Sequence, residues 1–149
     1  MTDRLRTLYR DLVLDHGRRP RHRATMAGAD RVGEGHNPLC GDRVRVMLRL
    51  GPQGVVAAAQ FTGEGCAIST ASASVLTELV SGLTLEQAGA LASRFEAALS
   101  GEPAPDLPEA LEALTGVVAW PARVRCARLP WVALGQALSD ESEVATSEP

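Results

Sequence analysis

A change in the spacing of apolar residues, partway along the chain, limits the possible folds most. From Arg43 to Leu50 apolar residues alternate with arginine or methionine, which predicts a half-buried strand with one arginine-bearing face. A turn at 51–54 leads to a second predicted strand, Val55 to Phe61, so the two form a hairpin. After Cys66 the apolar residues recur at helical spacing up to Gly82. An early hairpin followed by helices favours an α+β fold.

The segments on either side of this hairpin predict helices, a loop and one more short strand. Residues 3–16 repeat as an amphipathic helix, and the glycines and prolines of residues 17–42 predict a loop. Residues 62–66 are expected to add a short third strand. Further helices are predicted over 84–99 and 109–114.

Pro130 decides where the last helix is expected to begin. A proline inside a helix removes a hydrogen bond and clashes with the carbonyl four residues earlier, here that of Cys126, whereas in the first turn it costs little. We therefore expect the helix to begin near Arg128 and to end at Leu138, with Cys126 just outside its N-terminus.

The length and composition predict one domain. A chain of 149 residues can bury a normal core, and we assign residues 1–138 to a single domain and 139–149 to an acidic, disordered tail. No apolar run approaches the length of a membrane span. The first residues alternate charged and apolar types, unlike a secretory signal, so we expect a cytoplasmic protein that does not enter a membrane.

The charge is unevenly distributed. The net charge is −3, yet the first 50 residues are net basic and the remainder net acidic, and Arg18 to Arg23 is rich in arginine. Such a run can bind nucleic acid, but this one is short and lacks interleaved aromatic residues. A solvated loop or a docking patch for an acidic partner protein is the preferred interpretation, and we expect no nucleic-acid partner.

The three cysteines each lie in a setting that suits a metal-bound or reactive thiolate. Cys40 precedes Gly41-Asp42, Cys66 stands at an expected helix start, and Cys126 follows Arg125. Three sulfurs and the Asp42 carboxylate would complete a tetrahedral zinc shell. The alternatives are that the cysteines are small buried hydrophobes and that Asp42 only caps a turn or pairs with the neighbouring Arg43.

Two further points concern the surroundings of these residues. His36 is the histidine nearest a cysteine, and a loop histidine is a simpler interpretation for it than a metal ligand. Three thiolates and a carboxylate around Zn²⁺ carry a formal charge of −2, which nearby arginines could offset. The candidates are Arg43, Arg123, Arg125 and Arg128.

Taken together, these segments resemble the U-type iron–sulfur cluster assembly proteins, the IscU/NifU-N superfamily. The combination of NPxCGD and GEGCAISxASAS is highly specific, and the match covers nearly the whole chain except the acidic tail. Scaffold-type members carry histidine where this chain has Arg125, and the chaperone-recognition motif of those members is missing here. The chain is therefore closest to the SufU branch. The matching residues are Leu8–Asp11, Leu14–His16, Asn37–Asp42, Gly63–Ser74 and Pro121–Leu134.

The resemblance implies a SufE/IscU-like fold, a small antiparallel sheet of about three strands covered by helices. It implies a zinc-dependent sulfur carrier in iron–sulfur cluster biogenesis, sulfurtransferase-like rather than an enzyme acting on small molecules. The partners would be a SufS-type cysteine desulfurase and downstream iron–sulfur assembly proteins. Cys40, Asp42, Cys66 and Cys126 would hold zinc.

In this branch a desulfurase histidine is thought to take one zinc position, which frees Cys40 to accept sulfur as a persulfide, while Arg125 tunes the site. One alternative is a scaffold on which a [2Fe–2S] or [4Fe–4S] cluster is built, with iron held by Cys40, Cys66 and Cys126. Another is a structural zinc domain that only binds a partner.

Overall fold

The computed structural model describes residues 2–39, 41–139 and 145–146. Its elements, in chain order, are α1 (Asp3–Arg18), β1 (Arg31–His36), β2 (Arg43–Leu50), β3 (Val56–Glu64), α2 (Ala67–Val80), α3 (Leu85–Leu99), α4 (Glu109–Leu114), α5 (Pro121–Ser139) and β4 (Ala145–Thr146), with short 3₁₀ segments at Pro52–Gly54 and Thr115–Ala119.

The sheet confirms the predicted α+β class. The strand order is β3-β2-β1-β4; β2 is antiparallel to both β1 and β3, and the two-residue β4 runs parallel to β1 at the edge. The inner face of β2 presents Val44, Val46 and Leu48 to the helices, and all three are buried. Its outer face exposes arginines at positions 43, 45 and 49, as the alternation predicted.

The third main strand lies elsewhere than expected. Residues 31–36, predicted as loop, form β1, whereas residues 62–64 only lengthen β3. Two glycines misled the prediction. A Cβ atom on Gly33 would lie 2.0 Å from the carbonyl oxygen of Ala133, and one on Gly35 would lie 2.9 Å from that of Leu129. These glycines therefore mark a strand on which the backbone of α5 rests, and not a loop.

The start of the last helix is a second correction. α5 begins at Pro121, so Cys126 lies inside the helix and Pro130 in its interior. Pro121 suits the first helical position, while an interior proline costs about 3 kcal/mol. Packing outweighs this cost, since Pro130 and its neighbours are buried. Ser72 of α2 also ties this turn in place, because its hydroxyl donates to the Ala127 carbonyl (2.6 Å) and accepts from the Trp131 indole N–H (3.1 Å).

A buried polar network fixes the C-terminal half of α1 against α2. The Ser74 hydroxyl lies 2.7 Å from Nδ1 of His16 and accepts the backbone N–H of Arg21 at 2.8 Å. The Ser74 hydroxyl therefore joins the His16 ring to the backbone of Arg21. Burial of the ring, with a smaller effect from Arg21, lowers the pKa of His16 below its ordinary value.

The segment predicted as a disordered tail lies mainly outside the described residues. Ser139 is the last residue of α5, and Ala145–Thr146 form β4. The predicted division into a domain and a tail therefore stays a prediction. Among the described helices, none is both long and apolar enough to cross a membrane.

We expect Gly33→Ala to lower the free energy of unfolding by about 3 kcal/mol, because the new methyl group would overlap a backbone oxygen that cannot move without shifting α5. Gly135→Ala is the matched control. Gly135 is an exposed residue of α5 with nothing within 4 Å of the new methyl, so it should gain about 0.5–1 kcal/mol. Urea unfolding measures both, and a Gly33→Ala protein as stable as the wild type would contradict the close packing.

The His16 network predicts a pH dependence of stability. The folded-state pKa of His16 lies below the ordinary value of 6.5. The contribution of the neutral ring to the free energy of unfolding is therefore complete above that pH, and it is lost as the pH falls towards the folded-state pKa. Glu78 of α2 and Asp15 of α1 oppose the shift, while Arg21 adds to it.

Urea unfolding of the metal-free protein at about pH 7.5 and about pH 5.5 tests this, since histidine titrates between these values. His16→Gln should reduce the difference in unfolding free energy between the two conditions. The same difference in both proteins would show that another group is responsible.

Candidate metal centre

Three of the four predicted ligands come together, each from a different element. Asp42 immediately precedes β2, Cys66 is the N-cap residue of α2, and Cys126 lies inside α5. One ligand atom from each residue lies within 4.8 Å of the other two. The fourth predicted ligand, Cys40, lies outside the described residues, so its part in the site stays a prediction.

Asn37 holds the connection between β1 and β2 on which Asp42 lies. Its backbone N–H donates to the carbonyl of Asp42 (2.9 Å), and its own carbonyl accepts from the N–H of Gly41 (2.9 Å). Its side-chain oxygen accepts the N–H of Leu39 at 3.0 Å. Asn37 is buried, whereas Pro38, Leu39 and Gly41 are exposed. The first residue of the NPxCGD motif thus closes a short exposed loop and places Asp42 at its base.

Cys66 stands where the sequence predicted it, at the N-terminus of α2. Its pKa is lowered to about 5, chiefly by the hydrogen bond with the Cys126 side chain, against the raising effect of burial. The backbone N–H groups of Ser69 and Ile68 also face the sulfur and lower the pKa, although neither forms a full capping hydrogen bond. The helix N-terminus thus favours a thiolate at Cys66.

Cys126 meets a different environment from the predicted one. It is 6% exposed and inside α5, so it lacks the helix N-terminus that supports Cys66. Its side chain forms a hydrogen bond with that of Cys66. A thiolate pair of this kind repels itself unless a proton or a cation lies between the sulfurs.

Two residues around the sulfurs were missed by sequence reasoning. Ser69 is fully buried, with its Oγ 3.4 Å from Oδ2 of Asp42 and 3.9 Å from Sγ of Cys66. Its position three residues after an N-cap is where capping partners lie, and that spacing could have identified it.

Tyr9 of α1 is the second residue near the sulfurs that sequence reasoning missed. Its helical spacing did not distinguish it from a packing residue. Burial raises its pKa, and the nearby charges of Cys66 and Cys126 raise it further. Its ring stacks on Trp120, with the ring centroids 5.5 Å apart.

The arginines expected to offset the charge of the site divide into different roles. Arg128 is turned to α3, where its Nε lies 2.8 Å from Oε2 of Glu96. The positive charge of Arg123 lowers the pKa of Tyr9, and it is the smallest of the effects on that residue. Arg125 is half-buried directly before Cys126, and its tuning role stays a prediction. His36 ends β1 opposite Arg43 and is not part of the three-residue cluster.

The clustered side chains fit a zinc ion chemically. Two thiolates and a carboxylate are common zinc ligands, and ligand atoms on a tetrahedral zinc lie about 3.8 Å apart for sulfur. The observed separations, all within 4.8 Å, require only small side-chain adjustments. A fourth ligand from the neighbouring exposed loop would complete the shell, and Cys40 is in that loop.

Comparison with known proteins gives one family and two kinds of relative. Residues 8–140 match the model of the NifU-like N terminal domain. The chain is 38% identical over 139 residues to the zinc-dependent sulfurtransferase SufU of Bacillus subtilis (strain 168), which covers 92% of this chain and 93% of that protein. It is 38% identical over 137 residues to the iron–sulfur cluster assembly scaffold protein IscU of Streptococcus pyogenes serotype M1, with coverages of 91% and 85%.

A solved structure agrees with this assignment. The crystal structure of FiSufU from Fervidobacterium islandicum AW-1, an iron–sulfur cluster assembly scaffold protein for the SUF system, has a TM-score of 0.80 and 29% identity, covering 89% of this chain and 97% of that one. The family match over most of the chain, the shared fold and the clustered thiols lead to the same conclusion: the chain belongs to the NifU-like N-terminal domain family of iron–sulfur cluster assembly proteins.

Proposed function

We propose that this protein is a zinc-dependent sulfur carrier, which accepts persulfide sulfur from a cysteine desulfurase for iron–sulfur cluster biogenesis. The observation that carries the proposal is the convergence of Asp42, Cys66 and Cys126 within 4.8 Å. The similarity to the zinc-dependent sulfurtransferase SufU over almost the whole chain supports it.

Cys40 is the proposed sulfur acceptor. An acceptor thiolate has to reach a persulfide on another protein, so it has to lie on an accessible segment. Cys126 is buried inside a helix, and Cys66 caps the N-terminus of another. Both neighbours of Cys40 are exposed, with Leu39 at 66%.

The transfer balances as a thiol–persulfide exchange. The Cys40 thiolate attacks the terminal sulfur of the desulfurase persulfide, and a new sulfur–sulfur bond forms at Cys40 as the old one breaks. The electron pair leaves on the desulfurase cysteine, which becomes a thiolate, and no external oxidant or reductant is needed. Bound zinc would keep the site's thiols deprotonated and protected from oxidation until the partner docks.

A cluster scaffold is the second candidate, because the scaffold IscU of Streptococcus pyogenes matches this chain with the same identity. The cysteines that would bind zinc could also hold iron in a [2Fe–2S] or [4Fe–4S] cluster. Metal and sulfide analysis of anaerobically purified protein separates the two. About one zinc per chain without sulfide favours the carrier, and iron with nearly equal sulfide favours the scaffold.

Cys40→Ala should abolish stimulation of the desulfurase and persulfide formation on this chain, while the unfolding midpoint of the metal-free protein should stay close to that of the wild type. The thiol is the proposed acceptor, and the residues on either side of it are exposed. Desulfurase assays and mass spectrometry of the trapped persulfide measure the outcome. Normal stimulation would exclude Cys40 as the acceptor, whereas a variant that unfolds under conditions in which the zinc-bound wild type is folded would favour a structural zinc domain.

The basic loop Arg18 to Arg23 is the proposed docking surface for the desulfurase. It adjoins the site, because a Cβ on Gly17 would lie 3.6 Å from Ala67, the residue after Cys66. Arg21 binds Asp15 and Arg23 donates to the carbonyl of Gly63, so these two arginines also hold the loop in place.

The double variant Arg18→Glu, Arg19→Glu should therefore weaken desulfurase binding about tenfold. Both side chains are exposed, and the described contact that the variant removes is the ion pair of Arg19 with Asp15 (3.3 Å). Zinc content should not change. Arg6→Glu with Arg10→Glu, which makes the same charge change farther along α1, is the control. Calorimetry at low salt measures the binding of both double variants. If both weakened desulfurase binding equally, overall charge and not this loop would explain the effect.

A further inference from the structure

The hydroxyl of Ser69 lies between two of the candidate ligands without being a ligand itself. Its Oγ is 3.4 Å from Oδ2 of Asp42, 3.9 Å from Sγ of Cys66 and 3.2 Å from the backbone carbonyl oxygen of Cys66. The side chain is fully buried. A buried hydroxyl is held in the protein by hydrogen bonds, and here the partners all belong to the candidate metal centre.

Gly65 makes room for this hydroxyl. A Cβ on Gly65 would lie 2.2 Å from Oγ of Ser69 and 3.4 Å from Cγ of Asp42. A side chain at position 65 would therefore displace Ser69 and press on the carboxylate. The glycine before Cys66 and the serine three residues after it form one packed unit with Asp42.

Ser69 has one proton to donate and several acceptors within reach. The backbone carbonyl of Cys66 is neutral, whereas the Asp42 carboxylate and a Cys66 thiolate are charged, and hydrogen bonds to charged groups are stronger. When the ligands are deprotonated, donation to Asp42 holds one carboxylate oxygen and thereby fixes the rotation of the group. When Cys66 is instead a protonated thiol, its S–H can donate to a lone pair of the same hydroxyl.

We propose that Ser69 is a positioning residue of the metal centre, which holds the Asp42 carboxylate and the start of α2 in the arrangement that binds zinc. This inference rests on the proposed zinc-dependent function. Groups that orient metal ligands through hydrogen bonds commonly contribute a factor of 10–100 to metal affinity. Ser69→Ala removes the orienting hydroxyl and leaves every candidate ligand in place.

The test compares Ser69→Ala with Ser74→Ala in the full chain. Ser74 is an equally buried serine of the same helix, but it binds His16 and the backbone of Arg21 away from the ligands. Zinc affinity is measured by competition with a chromophoric chelator. The absorption spectrum of the Co²⁺-substituted protein reports the ligand arrangement, and urea unfolding of the metal-free proteins reports stability.

Ser69→Ala should bind zinc about 10–100-fold more weakly and shift the Co²⁺ absorption bands. Ser74→Ala should lose stability but keep the affinity and the spectrum of the wild type. A Ser69→Ala protein with wild-type affinity and spectrum would overturn the positioning role, as would equal weakening by both variants. If the wild type itself held no zinc, the proposed function would fail first, and the positioning role with it.

Discussion

The contact between the backbone of α5 and the backbone of β1 is the constraint on which the rest of this structure depends. Gly33 and Gly35 place no side chain between the two, so the carbonyls of Ala133 and Leu129 lie directly above the strand. This approach fixes both the height and the direction of α5. Cys126, less than one turn before Leu129, is thereby carried to the end of the sheet where β2 begins and α2 starts.

The candidate ligands at that end of the sheet belong to segments that are packed to different extents. Cys126 lies in a packed helix beside Ala127, which is fully buried, and Cys66 belongs to the first turn of α2. Asp42 is at the base of a loop closed by Asn37. The buried part of the centre is therefore preorganised, while the segment bearing Cys40 has exposed neighbours. A carrier needs this combination, because its acceptor has to meet another protein while the other ligands stay in place.

Much of the fold followed from the sequence, and what did not follow depended on long-range packing. The alternation in β2 and the helix start at Cys66 are local signals, and the structure contains both. Gly33 and Pro130 misled the prediction for one common reason. Each is a poor residue for its element in isolation, and each is accepted because a neighbouring element packs against it.

In the candidate site, too, local sequence signals predicted some features, and others depend on residues distant in sequence. The local setting of each residue and the family resemblance pointed to Asp42, Cys66 and Cys126, whose proximity the structure shows. The same reasoning placed Arg128 among the charges near the site. The direction of that side chain depends on Glu96 in α3, a residue distant in sequence. Ser69 was within reach of local reasoning through its position relative to the N-cap, whereas Tyr9 was not.

The core bears on whether a bound metal would have a structural or a chemical role. The elements that supply the ligands are joined by buried apolar residues such as Val46, Leu76 and Leu134, and by the Ser72 bridge between α2 and α5. Domains that need zinc to fold are typically too small to build such a core. Here the metal would add stability by binding to the folded state alone, in proportion to its affinity and concentration. A site whose ligands are already gathered by the core can release one ligand to a partner without unfolding, and this favours the carrier over the purely structural zinc domain.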